Sequence, residues 1–418
     1  MDCKLLPATL QGTVQVPASK SIAHRALLCA ALADGESVLT NVTPSQDIDA
    51  TCSVLEALGA KIIRQGTTVT VRGIREVPQT PLLLDCRESG STLRFLLPVA
   101  AALGVNATLT GAGRLPYRPL TAYLRELTPE KGIQLMRVGN PDAVLPLQLQ
   151  GKLQSGLYLL EGDVSSQFLT GLLYALPLTA GESEIRLTSC LESRPYVDLT
   201  LDALRHAGIH IIETPTGYQI PGGQKFRPYN AEIEGDYSQA AFFLTANAIG
   251  NPVTVSNLSD KSLQGDRKIV EILEKICYTK KDGIRNGFTV DASDIPDLVP
   301  ILAVLGCFCD TPSRIFGAKR LRLKESDRLT ATTTALRAIG GDLSETEDGL
   351  EIRPIESFTG GTADSFGDHR IVMSLAIAAT RARQPVIIRG ADAVNKSYPA
   401  FFTDYNSIGG KMHVISLE

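Results

Sequence analysis

Tryptophan is absent from this chain, and aromatic residues make up only 6% of it. An excess of basic residues is also lacking, because 41 Lys and Arg stand against 45 Asp and Glu, for a net charge of −4. Proteins that bind nucleic acid usually carry a basic surface, and those that hold single strands stack bases on aromatic side chains. We therefore expect no nucleic-acid partner and no attraction to an anionic membrane.

Long apolar runs are missing too. The longest, residues 298–309, is too short to span a bilayer and contains Pro300 and Gly306. The opening residues, Met1-Asp2-Cys3-Lys4, lack the basic start and apolar core of a signal peptide. The eight cysteines include no CxxC pair. We expect reduced thiols in a cytoplasmic protein that does not enter the membrane.

Metal-binding motifs are scarce as well. His206 and His210 have the spacing of metal ligands, but Gly208 between them indicates a helix end, and no third ligand is near in the sequence. The chain also lacks a P-loop and a cluster of carboxylates suited to Mg²⁺. We expect neither a metal nor another cofactor.

Six stretches share one pattern, in which a polar or glycine-containing start leads into a helix that is apolar nearly all round. They are marked by Ser21, Ser91, Ser166, Ser238, Asp297 and His369, at intervals of 59 to 75 residues. So regular a period indicates a repeated structural unit. A helix that is apolar on all sides is buried. A second, more amphipathic helix and an alternating strand fill each interval.

This pattern predicts an α/β fold of two inside-out domains, each built of three βαβαββ-type repeats with buried parallel helices. We place the N-terminal domain at residues 19–229 and the C-terminal domain at residues 1–18 and 230–418. The boundary follows Gly222–Tyr229, which is punctuated by glycine and proline. The opening strand, Cys3 to Val16, precedes the first repeat and is expected to pair elsewhere. The alternative is an ordinary α/β protein with spacing that arose by chance.

The segment Lys319–Arg328 carries five cations among ten residues. The alternation of Leu321 and Leu323 is typical of a strand end with one apolar face. The run that follows is typical of a helix, with Ser326 or Glu325 as its N-cap. A helix N-terminus beside cations is a good anion site. The alternative is a solvated cationic strand end.

Other residues occupy corresponding places in their own repeats, at the N-terminus of a buried helix, on the strand end before it or in the segment that follows. They include Lys20, Arg25, Gly90, Arg118, Gln167, Ser193, Arg370 and Lys396. If the helices of a domain run parallel, their N-termini line one face, and two such faces would enclose an anionic ligand. Each residue alone is more simply a cap or a surface charge. Their shared position favours a functional interpretation.

Six short motifs contain many of these residues. They are Pro17-Ala18-Ser19-Lys20-Ser21 with Arg25, Val164-Ser165-Ser166-Gln167, Asp294-Ile295-Pro296-Asp297, Lys324-Glu325-Ser326-Asp327-Arg328, Asp368-His369-Arg370 and Asn395-Lys396-Ser397-Tyr398-Pro399. Together they resemble the 5-enolpyruvylshikimate-3-phosphate synthase family, over about Gly12 to Tyr405. The resemblance implies two inside-out α/β domains that close on shikimate 3-phosphate and phosphoenolpyruvate. It further implies a role in the shikimate pathway of aromatic amino acid biosynthesis and inhibition by glyphosate.

The resemblance also implies roles for single residues. Shikimate 3-phosphate would contact Lys20, Ser21, Arg25, Ser165, Ser166, Gln167, Ser193, Tyr196, Asp297 and Lys324. Phosphoenolpyruvate would contact Lys20, Gly90, Arg118, Gln167, Arg328, Arg370 and Lys396. Asp297 would be the base for the ring hydroxyl and Glu325 the acid toward the methylene carbon, with Lys20 as a third catalytic residue. The N-terminal domain would hold mainly shikimate 3-phosphate, and we expect a monomer.

Charge supports this interpretation. Two phosphates at about −1.5 to −2 each and two carboxylates bring about −5 to −6 in all. Seven cations among the residues named above could meet them: Lys20, Arg25, Arg118, Lys324, Arg328, Arg370 and Lys396. One alternative is the related transfer of enolpyruvate to UDP-N-acetylglucosamine. That family usually has Lys-Asn at Lys20-Ser21 and a loop cysteine, whereas no Cys lies between Cys86 and Cys190 here. A second alternative is a repeat protein that binds anions without catalysis.

Overall fold

The computed structural model describes residues 1–278 and 285–415. Its helices are α1 (Lys20–Leu32), α2 (Gln46–Ala57), α3 (Gly90–Leu103), α4 (Thr121–Glu126), α5 (Ser166–Ala175), α6 (Arg194–His206), α7 (Tyr237–Ala248), α8 (Lys268–Tyr278), α9 (Val299–Gly306), α10 (Arg328–Ala338), α11 (His369–Ala379) and α12 (Phe401–Ser407). Its strands are β1 (Asp2–Leu6), β2 (Gly12–Gln15), β3 (Glu36–Thr40), β4 (Lys61–Gln65), β5 (Thr68–Arg72), β6 (Leu82–Asp85), β7 (Ala107–Thr110), β8 (Ile133–Arg137), β9 (Leu147–Gly151), β10 (Leu157–Leu160), β11 (Ser183–Leu187), β12 (Ile212–Thr214), β13 (Gly217–Ile220), β14 (Ala231–Glu232), β15 (Val253–Ser256), β16 (Thr289–Asp291), β17 (Ser313–Phe316), β18 (Leu343–Glu345), β19 (Leu350–Ile352), β20 (Gly361–Asp364), β21 (Val386–Arg389) and β22 (Lys411–Ile415).

Contacts divide the chain into two units. The N-terminal unit is Ala18–Ile233, and the C-terminal unit is Met1–Pro17 with Glu234–Glu418. Each unit has a hydrophobic core of its own. The chain therefore enters the N-terminal unit from a C-terminal-unit segment and returns to that unit afterwards.

The N-terminal unit contains three sheets of one design, with strand orders β14-β3-β5-β4, β6-β7-β9-β8 and β10-β11-β13-β12. In each sheet the first pair is parallel and the other two pairs are antiparallel. Along β5, Val69 and Val71 are buried while their neighbours are more exposed, so one face of the sheet lies on the core. From β6 to β9 and from β10 to β13 the elements follow the predicted βαβαββ order.

The C-terminal unit repeats this design in the sheets β16-β17-β19-β18 and β20-β21-β1-β22. A parallel pair, β15-β2, accompanies them. The predicted single strand from Cys3 to Val16 is wrong, because two strands form there and join different partners. Pro7 follows the first of them and has no N–H to extend a ladder. As expected, the opening strand pairs away from the first repeat, with β21 and β22.

The six helices predicted to be buried are buried. Every residue of α9 and α11 is buried, and in α3 only Ser91 and Leu103 keep appreciable exposure. A helix at the centre of a unit meets apolar neighbours on every side, which explains its apolar sequence. The prediction of an α/β fold with buried helices under parallel-containing sheets is confirmed.

The segment Lys319–Leu323 is a 3₁₀-helix and not the strand end that we predicted. Leu321 is buried whereas Leu323 is 48% exposed, so the two leucines do not share a face. The following helix α10 is confirmed, but its N-cap is Asp327, whose Oδ1 accepts a hydrogen bond of 3.2 Å from the Thr330 N–H. Asp327, the residue after Ser326, is therefore the N-cap in place of the predicted Ser326 or Glu325.

Candidate active site

Arg25 connects the first turns of α1 and α6. Its Nη1 donates to the Ser21 carbonyl at 2.7 Å, its Nη2 to the Tyr196 carbonyl at 2.8 Å and its Nε to Thr200 Oγ1 at 2.9 Å. Burial lowers the pKa of this guanidinium, although arginine remains charged at any physiological pH. Three residues that the sequence assigns to shikimate 3-phosphate are therefore neighbours: Ser21, Arg25 and Tyr196.

Helices α3 and α5 also meet at their N-terminal ends. Gln167 Nε2 donates to Ser91 Oγ at 3.0 Å, and Arg94 Nη1 donates to Gln167 Oε1 at 3.0 Å. Thr170 and Thr200 bond to each other at 3.0 Å, which links α5 to α6. The starts of α1, α3, α5 and α6 therefore lie at one end of the N-terminal unit. Their dipoles and free N–H groups favour an anion at that end.

The first turns carry the remaining predicted serines. Ser165 is the N-cap of α5 and accepts from the Gln167 N–H, and Ser166 is buried directly after it. Ser193 is the buried N-cap of α6 with φ 56° and ψ 37°. A non-glycine residue in this left-handed region costs on the order of 1–3 kcal/mol, and such strain is concentrated at functional sites.

Lys20 lies at the first position of α1, where its Nζ contacts Asp47 Oδ2 at 2.6 Å. Asp47 is in the first turn of α2 and is nearly buried. The carboxylate limits where the ammonium group can go. Lys20 thus faces the end of the unit where the helix N-termini gather.

Gly90 is the first residue of α3 and lies beside two guanidinium groups. A Cβ built on it would lie 2.7 Å from Arg94 Nη1 and 2.8 Å from Arg118 Nη1. The two cations are therefore no farther apart than the sum of these distances. Two buried guanidiniums so close together favour an anion between or beside them.

In the C-terminal unit, Arg328 is the centre of an ion-pair network. It is 1% exposed, and its three nitrogens donate to three carboxylates: Nη1 to Asp297 Oδ1 at 2.9 Å, Nη2 to Glu325 Oε2 at 2.7 Å and Nε to Asp368 Oδ2 at 2.9 Å. Burial works against the charge, but the carboxylates outweigh it and raise the pKa of Arg328. The predicted base and the predicted acid thus bind one guanidinium.

Asp297 has a second arginine partner. Arg370 Nη2 donates to Asp297 Oδ2 at 2.7 Å and to Ser238 Oγ at 3.1 Å. Burial acts to raise the pKa of Asp297, yet Arg370, Lys324 and Arg328 hold that pKa well below its usual range. Asp297 is therefore a carboxylate in the ligand-free protein. Because its side chain is 20% exposed, a substrate can still reach it.

Lys324 follows the 3₁₀-helix and lies in the field of the same groups. Burial lowers its pKa to about 8, while Asp297 and Glu325 act to raise it and Arg320 and Arg328 lower it further. A lysine with such a pKa can change its charge near neutral pH.

Lys396 completes the predicted set. It is buried at the end of the 3₁₀-helix Ala391–Lys396, which packs against α11. The starts of α7, α10 and α11 come together through Ser238, Arg328 and Arg370. The C-terminal unit thus has its own cationic end with three carboxylates.

Two residues near these clusters were missed by the sequence interpretation. Asp368 is fully buried, caps α11 through the Arg370 N–H and accepts from Ser326 Oγ and Arg328 Nε. Arg94 is the other. The sequence could have revealed it, because a charged residue in an otherwise apolar buried helix needs a polar partner. Asp368 had only the signal of an ordinary N-cap.

Within residues 1–278 and 285–415, no three His, Cys, Asp or Glu side chains are grouped so as to hold a metal ion. His206 ends α6 and contacts Asp202. Nor does that part of the chain contain a helix with the length and apolarity needed to cross a membrane.

The family model described as EPSP synthase (3-phosphoshikimate 1-carboxyvinyltransferase) matches residues 6–405. The chain belongs to this family. Proteins named 3-phosphoshikimate 1-carboxyvinyltransferase are similar over nearly their whole length. The one from Clostridium acetobutylicum is 41% identical, with 100% of both chains covered, and the one from Clostridium kluyveri is 43% identical, with 97% of each covered.

Solved structures agree on the fold. EPSP synthase from Acinetobacter baumannii superposes with a TM-score of 0.81 at 24% identity, over 99% of this chain and 100% of that one. A second structure of EPSP synthase from Acinetobacter baumannii gives 0.80, also at 24% identity, with 100% of both chains covered. The comparisons give no support to a UDP-N-acetylglucosamine transferase or to a non-catalytic scaffold.

Proposed function

We propose that this protein is a 3-phosphoshikimate 1-carboxyvinyltransferase. It transfers the enolpyruvyl group of phosphoenolpyruvate to the 5-hydroxyl of shikimate 3-phosphate and releases phosphate. The observation that carries the proposal is the pair Asp297 and Glu325, held by one buried guanidinium among further cations. This is a base and an acid in one anion-binding cluster. We further propose that it works as a monomer in the cytoplasm.

The N-terminal unit would bind mainly shikimate 3-phosphate. The helix starts of α1, α5 and α6 supply N–H groups and hydroxyls, and Lys20 and Arg25 supply charge. The left-handed Ser193 would be explained by a phosphate contact that needs its backbone turned. Gly90, Arg118 and Gln167 would take part of phosphoenolpyruvate.

The C-terminal unit would supply the acid, the base and the remaining contacts to phosphoenolpyruvate. Arg328, Arg370 and Lys396 bind its anionic groups, and Lys324 lies between the two substrates. Arginine can grip a carboxylate or phosphate through two parallel hydrogen bonds, which fixes orientation as well as position.

Binding explains how Asp297 becomes an effective base. In the ligand-free protein Arg328 and Arg370 both donate to it, and a carboxylate so stabilised is a weak base. An anionic substrate competes for the same arginines and adds negative charge nearby. Both effects raise the proton affinity of Asp297 when the ring hydroxyl is present.

The reaction is an addition followed by an elimination. Asp297 takes the proton of the 5-hydroxyl, whose oxygen attacks C2 of phosphoenolpyruvate, while Glu325, protonated in the substrate complex, gives a proton to C3. The Glu325 carboxylate then takes a proton back from C3, which restores the double bond as the C2–O bond to phosphate breaks. The cations stabilise the negative charge on the leaving phosphate.

One coupled assay tests the activity directly. Phosphate release is measured with phosphoenolpyruvate and either shikimate 3-phosphate or UDP-N-acetylglucosamine. We expect release with the first acceptor only. Release with UDP-N-acetylglucosamine, or with neither acceptor, would contradict the proposed function.

Gly90→Ala should weaken binding of phosphoenolpyruvate with little loss of stability. The added methyl group meets the ends of two flexible side chains, Arg94 and Arg118, so these shift while the backbone, which has an ordinary φ, stays in place. We expect KM for phosphoenolpyruvate to rise about tenfold, the usual effect of one methyl group in a pocket, and glyphosate inhibition to weaken further. Gly181→Ala, whose added methyl group meets only the Ser155 side chain, is the control and should change neither value. Unchanged KM and unchanged inhibition would mean that Gly90 does not line the site.

Affinity for shikimate 3-phosphate should fall as pH rises above 8. The pKa of Lys324 is about 8 in a setting formed by Asp297, Glu325, Arg320 and Arg328, so its charge is lost there. Because one proton is involved, the affinity should fall by at most about tenfold per pH unit. The same shift makes the free energy of unfolding rise as pH increases from about 8 to 10.5, because in that range the unfolded state holds the proton and the folded state does not.

Calorimetric titrations from pH 7 to 10 measure this dependence. The arginine in Lys324→Arg stays charged throughout this range, so this variant should lose most of the pH dependence. Lys319→Arg changes an exposed lysine five positions earlier and should leave it intact. A dependence that persists in Lys324→Arg would assign the titration to another group.

A further inference from the structure

Arg94 is a charged residue in the buried helix α3, and its side chain is almost entirely enclosed. Its Nη1 donates to Gln167 Oε1 at 3.0 Å, and its Nη2 donates to the Pro119 carbonyl at 3.2 Å. The guanidinium carbon lies 5.2 Å from the centre of the Phe168 ring. None of the sequence motifs gives this arginine a role.

The contact with Arg94 determines the orientation of the Gln167 amide. A guanidinium has five N–H donors and no acceptor, so the amide atom that faces it is the oxygen. The amide nitrogen then faces Ser91, whose Oγ accepts from it at 3.0 Å. An amide nitrogen carries two hydrogens, and the second has no acceptor among the residues that the structure describes. A donor is thus left for a ligand.

This orientation matters because both substrates are anionic. An N–H group stabilises a carboxylate or phosphate oxygen, whereas a flipped amide would turn its carbonyl oxygen toward the same negative charge. We propose that Arg94 is a positioning residue, which holds the Gln167 amide with its nitrogen toward the anionic oxygens of phosphoenolpyruvate. The proposal rests on the function proposed above and adds a residue to it.

Tyr123 stabilises the packing of α3 against α5 beside Arg94 and Gln167. Its hydroxyl lies 2.6 Å from the Arg94 carbonyl and 2.9 Å from the Phe168 carbonyl, and the residue is fully buried. It therefore joins α3 to α5 next to the two interacting side chains. A fixed spacing of the helices keeps the guanidinium and the amide in hydrogen-bonding range.

A double-mutant cycle of Arg94→Met and Gln167→Ala tests the proposal. Arg94→Met should raise KM for phosphoenolpyruvate on the order of 10- to 100-fold, the loss expected for a charged hydrogen bond. We expect kcat to change by less than about threefold, since Arg94 does not touch the reacting atoms. In the Gln167→Ala background, Arg94→Met should add less than about threefold, because its target is gone.

Effects that multiply in the double variant would overturn the proposal and assign Arg94 to Pro119 and the neighbouring Arg118. A fall in kcat with unchanged KM would overturn it too. If Arg94→Met does not fold, Arg94→Lys, which keeps a single cationic donor group, replaces it in the cycle. The effect of Arg94→Lys with and without Gln167→Ala is then compared in the same way. The affinity of each variant for phosphoenolpyruvate is also measured by calorimetry, which does not require catalytic turnover. An inactive wild type would therefore count against the proposed function and not against the role of Arg94.

Discussion

Glu325→Gln is expected to lower kcat by about 10²–10⁴-fold, the usual contribution of a general acid or base. The amide keeps the size of the side chain and can still accept a hydrogen bond from Arg328, but it has no proton to give to C3. Asp297→Asn should have an effect of similar size for the matching reason, since an amide cannot take the proton of the ring hydroxyl. Steady-state kinetics with both substrates saturating measure both.

Asp327→Asn is the matched control for Glu325→Gln. Asp327 lies two residues later and is partly exposed, and it caps α10 through the Thr330 N–H. Asparagine caps helices as well as aspartate does, so kcat should stay within about twofold. Variants of Asp297 and Glu325 that lose affinity and keep kcat would show that the two carboxylates bind substrate without catalysing its reaction.

Arg328→Met is expected to cost about 3–5 kcal/mol of the free energy of unfolding. The substitution leaves Asp297, Glu325 and the fully buried Asp368 without the cation that they share. Removing one partner of a buried ion pair has this cost, because the remaining charge stays buried without compensation. Urea unfolding of the ligand-free protein gives the value.

Arg322→Met separates this effect from the loss of any arginine. Arg322 also pairs with two carboxylates, Asp327 and Glu345, but all three side chains are about a third exposed. Ion pairs in such surroundings contribute about 0–1 kcal/mol. Equal losses in the two variants would mean that the network around Arg328 is effectively solvated and does not stabilise the unit.

The repeat made much of the fold predictable. A polar start followed by a wholly apolar helix recurs at a steady interval, and only a buried helix explains an apolar surface on all sides. Lys20, Gln167 and Arg370 could be grouped within their units because they hold the same place in successive repeats. Equivalent places in parallel helices lie at the same end of a unit, so no partner had to be known.

Partner identity could not be predicted in the same way. The carboxylates around Arg328 come from residues 297, 325 and 368, and nothing in the sequence distinguishes them from the many other acids. The N-cap of α10 was predicted wrongly because Ser326 and Asp327 are adjacent and both favour the N-cap position. Two alternating leucines, Leu321 and Leu323, were too short a pattern to separate a strand from a 3₁₀-helix.

The pairing of β1 has a consequence for how the protein is made. Asp2 aligns with Ile415 across the β1–β22 ladder, so this sheet needs the first and last parts of the chain together. On a ribosome, all elements of Ala18–Ile233 emerge before β22 does, and that unit can fold while synthesis continues. The first strand stays unpaired until β21 has been synthesised, and its other edge stays open until β22 follows. Closing so long a loop is slow, which makes completion of this sheet the late step of folding.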